Sequence, residues 1–180
     1  MRGNFHAHNS AVRSLAFSPA GNLLASGGND KSVILWDVET GQVLGKSSEH
    51  KGSVCAVAFS PDGKTLASGC SAETIKLWNP ANISTGSLAS ISYHKSVVRS
   101  LAFSPDGKTL ASGSEDRTLK LWNVASRQEV ASFKHEDRVR LVVFSPDGNT
   151  LASVTDQGTL RVFRAASLQD VDASGIGSPP

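Results

Sequence analysis

Short apolar runs separated by polar turns follow one another along the chain. No segment with a 3.6-residue period is long enough to predict a helix. The pattern is clearest between residues 97 and 134, where an apolar run at 97–103 is followed by Ser–Pro–Asp–Gly at 104–107. Proline presets φ and glycine accepts a positive φ, so this tetrapeptide predicts a type I turn. Runs at 109–113 and 118–123 and a weaker run at 129–134 follow. We therefore predict four antiparallel strands in this stretch.

The same unit recurs four times. Phe–Ser–Pro begins at Phe17, Phe59, Phe103 and Phe144, and nine residues before each Phe stand His8, His50, His94 and His135. Nineteen residues after each Phe stand Trp36, Trp78, Trp122 and Phe163. All the variation in length lies between that aromatic residue and the next histidine, with separations of 14, 16 and 13. Constant spacing indicates strands held in register, whereas variable spacing indicates an exposed connection.

Four strands per ~42 residues are typical of a propeller blade. The ends of the units resemble the WD-repeat family, whose unit begins with Gly–His and ends with Trp–Asp. Here the pairs are Ala–His (7–8) and Trp–Asp (36–37), Glu–His (49–50) and Trp–Asn (78–79), Tyr–His (93–94) and Trp–Asn (122–123), and Lys–His (134–135) and Phe–Arg (163–164). The glycine is absent throughout and the aspartate survives once, but four copies in phase cover nearly the whole chain. The resemblance implies an all-β β-propeller of four four-stranded antiparallel blades. We expect repeats at about 6–37, 48–79, 92–123 and 133–164, within a propeller segment at 1–166.

Each unit also carries His, Ser, Asp and Trp in the same order. Complete sets are His8, Ser26, Asp30 and Trp36, and His94, Ser112, Asp116 and Trp122; the second unit has His50, Ser68 and Trp78 but Ala72 for Asp, and the fourth has His135 and Ser153 but Gln157 and Phe163. A Ser–His–Asp hydrolase needs an exposed nucleophile and an oxyanion hole, and the chain has no Gly–x–Ser–x–Gly elbow. The resemblance implies instead a buried hydrogen-bond network within each blade. We therefore expect no catalytic residue, the stiffest blades at the first and third repeats, and a terminal cap at the fourth.

WD-type propellers bind peptides and proteins on the narrow face around the channel, so the resemblance also implies contact positions. The residues after the first-strand valine are Arg13, Cys55, Arg99 and Arg140, those before it are Ala11, Ser53, Val97 and Arg138, and those before the network Asp are Asn29, Ser71, Glu115 and Asp156. From these we take as candidate partner-binding residues Arg13, Arg99, Arg138, Arg140, Asn29, Glu115 and Asp156. Strict alternation of side chains between the two faces of the strand would bury Arg99 with Leu101 and Phe103, and burying an unpaired charge is costly in free energy. The β-bulge that the resemblance implies early in the strand would turn Arg99 outward.

The arginines admit two interpretations. Arginine pairs with carboxylate and phosphate in bidentate fashion, which favours an acidic or phosphorylated segment as ligand. Alternatively the arginines are ordinary surface residues with Glu115 and Asp156 as local partners. The leading hypothesis for function is a non-catalytic protein-interaction scaffold that binds peptides or proteins. The alternative is a structural or vestigial repeat segment of a larger signalling or sensor propeller protein.

Four blades of this shape are expected to form a partial ring, because the rings of the resembled family usually have seven or eight blades. Two chains could pair as a homodimer that closes an eight-bladed ring, the chain could be part of a larger propeller, or four blades could close on themselves; we favour the first two. Residues 1–6 are in register with the outer strand at 128–133 and could complete another blade, while residues 167–172 compete for the same place in the fourth. Residues 173–180 are rich in Gly, Ser and Pro, and we expect them to be disordered.

Composition narrows the picture further. The net charge is +2 and no aromatic stripe is visible, so we expect no nucleic-acid ligand. No run approaches the ~20 apolar residues of a membrane span, and residues 1–10 contain no apolar signal region. Cys55 and Cys70 have no Cys–x–x–Cys partner, which argues against a disulfide framework or a zinc site and favours buried free thiols. His6 stands outside the repeat. We expect a cytoplasmic protein without metal or cofactor.

Overall fold

The structure, a computed structural model, describes residues 7–164. Within them the chain forms fifteen strands and one short 3-10 helix. The strands are β1 Val12–Phe17, β2 Leu23–Gly28, β3 Val33–Asp37, β4 Val43–Ser47, β5 Val54–Phe59, β6 Leu66–Cys70, β7 Ile75–Trp78, β8 Ala89–Ile91, β9 Val98–Phe103, β10 Thr109–Ser114, β11 Thr118–Asn123, β12 Glu129–Lys134, β13 Val139–Phe144, β14 Thr150–Thr155 and β15 Leu160–Arg164. The 3-10 helix is Pro80–Thr85.

These strands form four antiparallel sheets in which every strand pairs with the next one along the chain. Blade 1 is β1–β4, blade 2 is β5–β8, blade 3 is β9–β12 and blade 4 is β13–β15. The predicted all-β architecture of four blades is confirmed. Three strands of blade 4 lie in the described residues, and the expected outer strand at 167–172 lies outside them. The segments at 1–6 and 173–180 also lie outside the described residues.

The strands of blade 3 match the predicted ones closely. The first begins at Val98, one residue later than predicted, and the carbonyl of Val97 just before it accepts the N–H of Glu115 from the next turn at 2.9 Å. The predicted turn is closed by the N–H of Gly107, which donates to the carbonyl of Ser104 at 2.8 Å with φ of 70° at the glycine. We call this end of each blade the lower end and the opposite end, where the first strand begins, the upper end.

Apolar cores lie between the blades rather than inside them. Between blades 2 and 3, Ile75 and Leu77 pack with Val98 and Leu101, and the other two pairs of neighbouring blades have equivalent clusters. A glycine in the second strand allows the close approach: a Cβ on Gly69 would lie 2.5 Å from Cγ1 of Val98. Burial of these faces is the main favourable term that holds consecutive blades together.

The 3-10 helix was not predicted from the sequence. It occupies the longest of the variable connections, after Trp78, and Asn79 caps it by accepting the N–H of Ala81 at 3.0 Å. Its buried Ile83 packs on β4, where a Cβ on Gly45 would lie 2.5 Å from Cγ2 of Ile83. The extra residues of this connection therefore attach blade 2 to the outer strand of blade 1. A six-residue 3-10 turn is too short to leave a helical period in the sequence.

Candidate functional site

A β-bulge interrupts the first strand of every blade, immediately after its first valine. The pairing register shifts between Val12 and Ser14 in blade 1 and at the equivalent place in the other three blades. The bulged residues are Arg13, Cys55, Arg99 and Arg140. A bulge adds one residue that stays unpaired in the ladder and re-aims its side chain. Arg99 is consequently exposed, whereas Leu101 is buried.

The four bulged residues come from four different blades and line one cleft of about 200 Å³ at the upper end. We call this the arginine cleft. A larger cavity of about 740 Å³ lies between blades 1 and 2 at the lower end, lined by the 3-10 helix and the turn at Gly63 and Lys64. The arginine cleft is the better candidate site, because three charged side chains from separate blades converge there.

Each arginine of the cleft contacts the residue that precedes the network position of its own blade. Nε of Arg13 donates to Oδ1 of Asn29 at 2.8 Å. Nε of Arg99 donates to Oε1 of Glu115 at 2.6 Å, and its Nη2 also contacts that oxygen. In blade 4 the contact is a longer one of 3.4 Å, from Nη1 of Arg140 to Oδ1 of Asp156. The local partners considered from the sequence are therefore present.

Arg138 lies next to the arginine cleft and contacts Glu115. Its Nη1 lies 4.0 Å from Oε2 of Glu115, so this carboxylate contacts arginines of both blade 3 and blade 4. The side chains of Arg138 and Arg140 are 58% and 64% exposed, against 14% for Glu115. Three guanidinium groups, those of Arg99, Arg138 and Arg140, thus share two carboxylates, and Arg138 and Arg140 are more exposed than either carboxylate. The structure brings together all seven residues that we took as partner-binding candidates.

Cys55 was not among those seven, although it occupies the same repeat position as the arginines. Burial raises the pKa of its thiol, while Arg99 and Arg13 act in the opposite direction. The net effect is upward, so the thiol stays protonated near neutral pH and is a poor nucleophile. Cys70 is buried and free as expected, but Cys55 is free and half-buried. The expectation of two buried thiols is corrected at Cys55, because the bulge turns it into the cleft.

The His–Ser–Asp–Trp sets form hydrogen-bonded chains within blades 1 and 3. In blade 1, Nδ1 of His8 lies 2.9 Å from Oδ1 of Asp30, and Nε2 lies 2.7 Å from Oγ of Ser26. Nε1 of Trp36 donates to the same hydroxyl at 2.8 Å. The blade 3 set, His94, Ser112, Asp116 and Trp122, repeats these distances within about 0.1 Å.

The carboxylates of these sets also accept backbone N–H groups at the upper ends of blades 1 and 3. Oδ2 of Asp30 accepts the N–H of Asn9 at 3.0 Å, and Asp116 accepts the N–H of Lys95 at 2.9 Å. Burial alone would raise the pKa of Asp30, but hydrogen bonds from Ser32, His8 and Asn9 outweigh it and hold the pKa far below its usual range. Asp116 behaves in the same way. Both carboxylates are therefore ionised at neutral pH.

Blades 2 and 4 have only part of the His–Ser–Asp–Trp hydrogen-bond network. His50 and Trp78 both contact Oγ of Ser68 at 2.7 Å, but Ala72 offers nothing to Nδ1 of His50, which is buried without a hydrogen-bond partner. Burial, assisted by the charge of Lys76, lowers the pKa of His50 to about 4. In blade 4, Nε2 of His135 contacts Ser153 at 2.8 Å and Nδ1 contacts the carbonyl of Phe133 at 3.2 Å.

The sequence model of the WD40 family, described as WD domain, G-beta repeat, matches the chain four times, at residues 1–37, 41–79, 85–123 and 127–164. The chain belongs to the WD40 family. Among solved structures, that of U3-55K has 29% sequence identity and a TM-score of 0.82, with 89% of this chain and 51% of that chain covered. The WD40 repeats of RRP9 have 27% identity and a TM-score of 0.77, with coverage of 89% and 53%. The computationally designed protein Ika4 has 30% identity and a TM-score of 0.79, with coverage of 91% and 96%.

Curated relatives match shorter stretches. Protein tipD of Dictyostelium discoideum is 57% identical over 35 residues, which are 19% of this chain and 6% of tipD. The small ribosomal subunit protein RACK1y of Oryza sativa subsp. japonica is 44% identical over 46 residues, which are 26% of this chain and 14% of that protein. The chain therefore spans a small fraction of these relatives, and about half of the natural WD40 proteins of known structure that it resembles.

WD40 propellers are generally non-catalytic platforms for binding proteins. In this chain the serines of the four sets, Ser26, Ser68, Ser112 and Ser153, are buried, and Ser26 also lines an open cavity on blade 1. Residues 7–164 contain no group of three or more His, Cys, Asp or Glu side chains placed to hold a metal ion. In the same residues we find no helix with the length and apolar character needed to cross a membrane.

Proposed function

We propose that this WD40 chain is a non-catalytic scaffold that binds acidic or phosphorylated segments of protein partners in the arginine cleft. The observation that carries the proposal is the convergence of Arg13, Arg99 and Arg140, each from a different blade, on one cleft. A site assembled from separate blades is held at fixed spacing by the propeller, so the arginines are positioned before a ligand arrives.

The charges favour an anionic ligand. Arg13 contacts a neutral amide, and no ion pair of Arg13 is found within residues 7–164. Arg140 contacts Asp156 at 3.4 Å, which is longer than a good charge-assisted hydrogen bond. Glu115 orients Arg99 while leaving part of its guanidinium exposed. A carboxylate or phosphate in the cleft would therefore add partners to groups that are already aligned.

The test is reversal of three charges, Arg13→Glu, Arg99→Glu and Arg140→Glu. Binding is measured by fluorescence anisotropy with three synthetic peptides: an acidic peptide rich in Asp and Glu, its uncharged Asn and Gln counterpart, and a phosphopeptide whose single charged side chain is a phosphoserine. We expect the wild-type chain to bind the acidic or the phosphorylated peptide, with affinity falling as salt rises. The reversal should weaken that binding roughly tenfold or more.

A matched control reverses three exposed charges of the lower-end turns, Lys64→Glu, Lys108→Glu and Arg127→Glu. It changes the net charge by the same amount and should leave peptide binding nearly intact. Binding of the uncharged Asn and Gln peptide as tightly as the acidic peptide, or equal losses in the two variants, would show that the arginine cleft is not the site.

A second candidate function is that of a structural segment of a larger propeller protein. It is favoured by the coverage of about half of the U3-55K and RRP9 chains. If the wild-type chain binds none of the three peptides, this candidate replaces the first.

A further inference from the structure

Neighbouring blades meet through two different faces. The incoming face of a blade carries large apolar residues of its first strand, such as Val98, Leu101 and Phe103 in blade 3. The outgoing face of the preceding blade carries small residues in its first two strands, such as Ala56 and Gly69 in blade 2. The small residues allow the backbones to approach closely, and the large residues fill the remaining space.

The incoming face of blade 1 is complete but uncovered. β1 and β9 have the same sequence, Val–Arg–Ser–Leu–Ala–Phe. In blade 3 this sequence lies against blade 2, and Val98 and Leu101 are 0% and 8% exposed. In blade 1 the equivalent Val12 and Leu15 are 47% and 61% exposed and line an open cavity of about 350 Å³. Identical residues at the same register show what would cover this face, which is the outgoing face of another blade.

The outgoing face of blade 4 departs from the pattern that the other three share. Where blades 1, 2 and 3 have Gly27, Gly69 and Gly113 in the second strand, blade 4 has Val154. At those glycines a Cβ would lie only 2.5 to 2.7 Å from Cγ1 of the next blade's first valine. Val154 already carries that Cβ and two methyl groups, so a blade such as blade 1 could not approach to the same distance without displacement.

Two further substitutions fill the same face. Leu141 replaces Ser14, Ala56 and Ser100, and Val143 replaces Ala16, Ala58 and Ala102. Ser14 and Ser100 each accept an N–H of the next blade's first strand, from Val57 at 3.1 Å and from Val142 at 3.0 Å. Leucine cannot accept that hydrogen bond. Blade 4 therefore has neither the space found in blades 1 to 3 nor the serine acceptor found in blades 1 and 3; blade 2, with Ala56, receives its successor through the space alone.

We propose that the incoming face of blade 1 is a docking surface for a WD-type blade from outside this chain, one whose outgoing face carries the glycine and small residues seen in blades 1 to 3. A second copy of the chain does not supply such a blade, because its available outgoing face is that of blade 4. The eight-bladed homodimer considered from the sequence therefore lacks a fitting joint, and the ring is completed by different blades.

The test uses the chain itself as a probe of defined composition. A donor variant combines Leu141→Ser, Val143→Ala and Val154→Gly, which restore the small outgoing face, with Leu15→Glu, which blocks its own incoming face. The wild-type chain offers a free incoming face and serves as acceptor. We expect the two to form a 1:1 complex on size-exclusion chromatography with light scattering, with the measured mass doubling relative to either chain alone.

Two controls accompany this measurement. An acceptor with Leu15→Glu should form no complex with the donor, and the wild-type chain alone should stay monomeric. A folded donor that fails to bind the wild-type chain overturns the docking surface. A wild-type dimer that Leu15→Glu dissociates also overturns the proposal, because blade 4 would then receive blade 1 as it stands. If circular dichroism shows that the full donor is unfolded, the variant with Val154→Gly and Leu15→Glu alone replaces it in the same assay.

Discussion

At the scale of single residues, His50 has the least complete set of contacts among the network histidines. Its Nδ1 is the one buried side-chain nitrogen or oxygen without a hydrogen-bond partner in residues 7–164. The folded chain keeps this ring neutral, with a pKa of about 4, whereas an unfolded chain protonates it below about 6.5. The unfolded state alone takes up a proton between these values, so stability is lost as the pH falls from about 6.5 to about 4. The loss from this group is at most roughly 3 kcal/mol.

We predict that Ala72→Asp removes much of this loss. The new carboxylate would occupy the place that Asp30 and Asp116 hold beside their histidines, and a hydrogen bond to Nδ1 favours the protonated ring. Urea unfolding at a series of pH values should show a shallower decline of the unfolding free energy between pH 6.5 and 4. At pH 7 we expect a gain of about 1 kcal/mol, because a buried donor acquires a partner.

Ser71→Asp is the control for Ala72→Asp, because it places the same charge one residue earlier, at the position of Asn29 and Glu115. It should leave the pH profile of stability close to that of the wild-type chain. An Ala72→Asp profile as steep as that of the wild type would mean that His50 does not control acid stability.

At the scale of elements, the inner strands of neighbouring blades are joined by a serine hydroxyl as well as by apolar packing. The N–H of Val142 in β13 donates to Oγ of buried Ser100 in β9 at 3.0 Å. We predict that Ser100→Ala lowers the free energy of unfolding by about 1–3 kcal/mol, because this N–H loses its acceptor at a buried joint. Ala56→Ser, at the equivalent position of blade 2, should change stability in the opposite direction by about 1 kcal/mol or less.

Chemical denaturation of the two variants measures these changes. Ser92→Ala, at an exposed serine, provides the baseline and should lie within about 0.5 kcal/mol of the wild type. If Ser100→Ala is no worse than Ser92→Ala, the hydroxyl does not hold blades 3 and 4 together.

The elements were largely predictable from the chain, because the constant spacing of His, Phe and Trp determines the strands and their register. The 3-10 helix at Pro80–Thr85 was not, since its stability comes from Ile83 packing on a different blade. The burial of Cys55 also needed the structure. The repeat places it at an arginine's contact position, but only the structure shows that its thiol is half-buried in the shared cleft. Likewise Val154 is visible as a departure from Leu–Ala–Ser–Gly, but its meaning depends on the distance to the next blade.

At the scale of the whole molecule, two features rank the blades differently. The complete hydrogen-bond sets favour blades 1 and 3 as the stiffest. The apolar cores favour blades 2 and 3, because these are packed on both sides, whereas Val12 and Leu15 of blade 1 and Leu160 and Val162 of blade 4 are exposed. Since each blade contacts mainly its neighbours, local stability should follow the number of covered faces, as in other repeat proteins.

Magnitudes decide between these rankings. A hydrogen bond of the network contributes about 1 kcal/mol, whereas each large apolar side chain buried between blades contributes about 1.5–3 kcal/mol. We therefore predict that amide hydrogen exchange is slower in β6 of blade 2, whose network lacks the carboxylate, than in β2 of blade 1, whose network is complete. β15, with its alternating exposed residues, should exchange fastest of the third strands. Slower exchange in β2 than in β6 would show that the network outweighs the packing between blades, and equal exchange throughout would show that the four blades unfold as one unit.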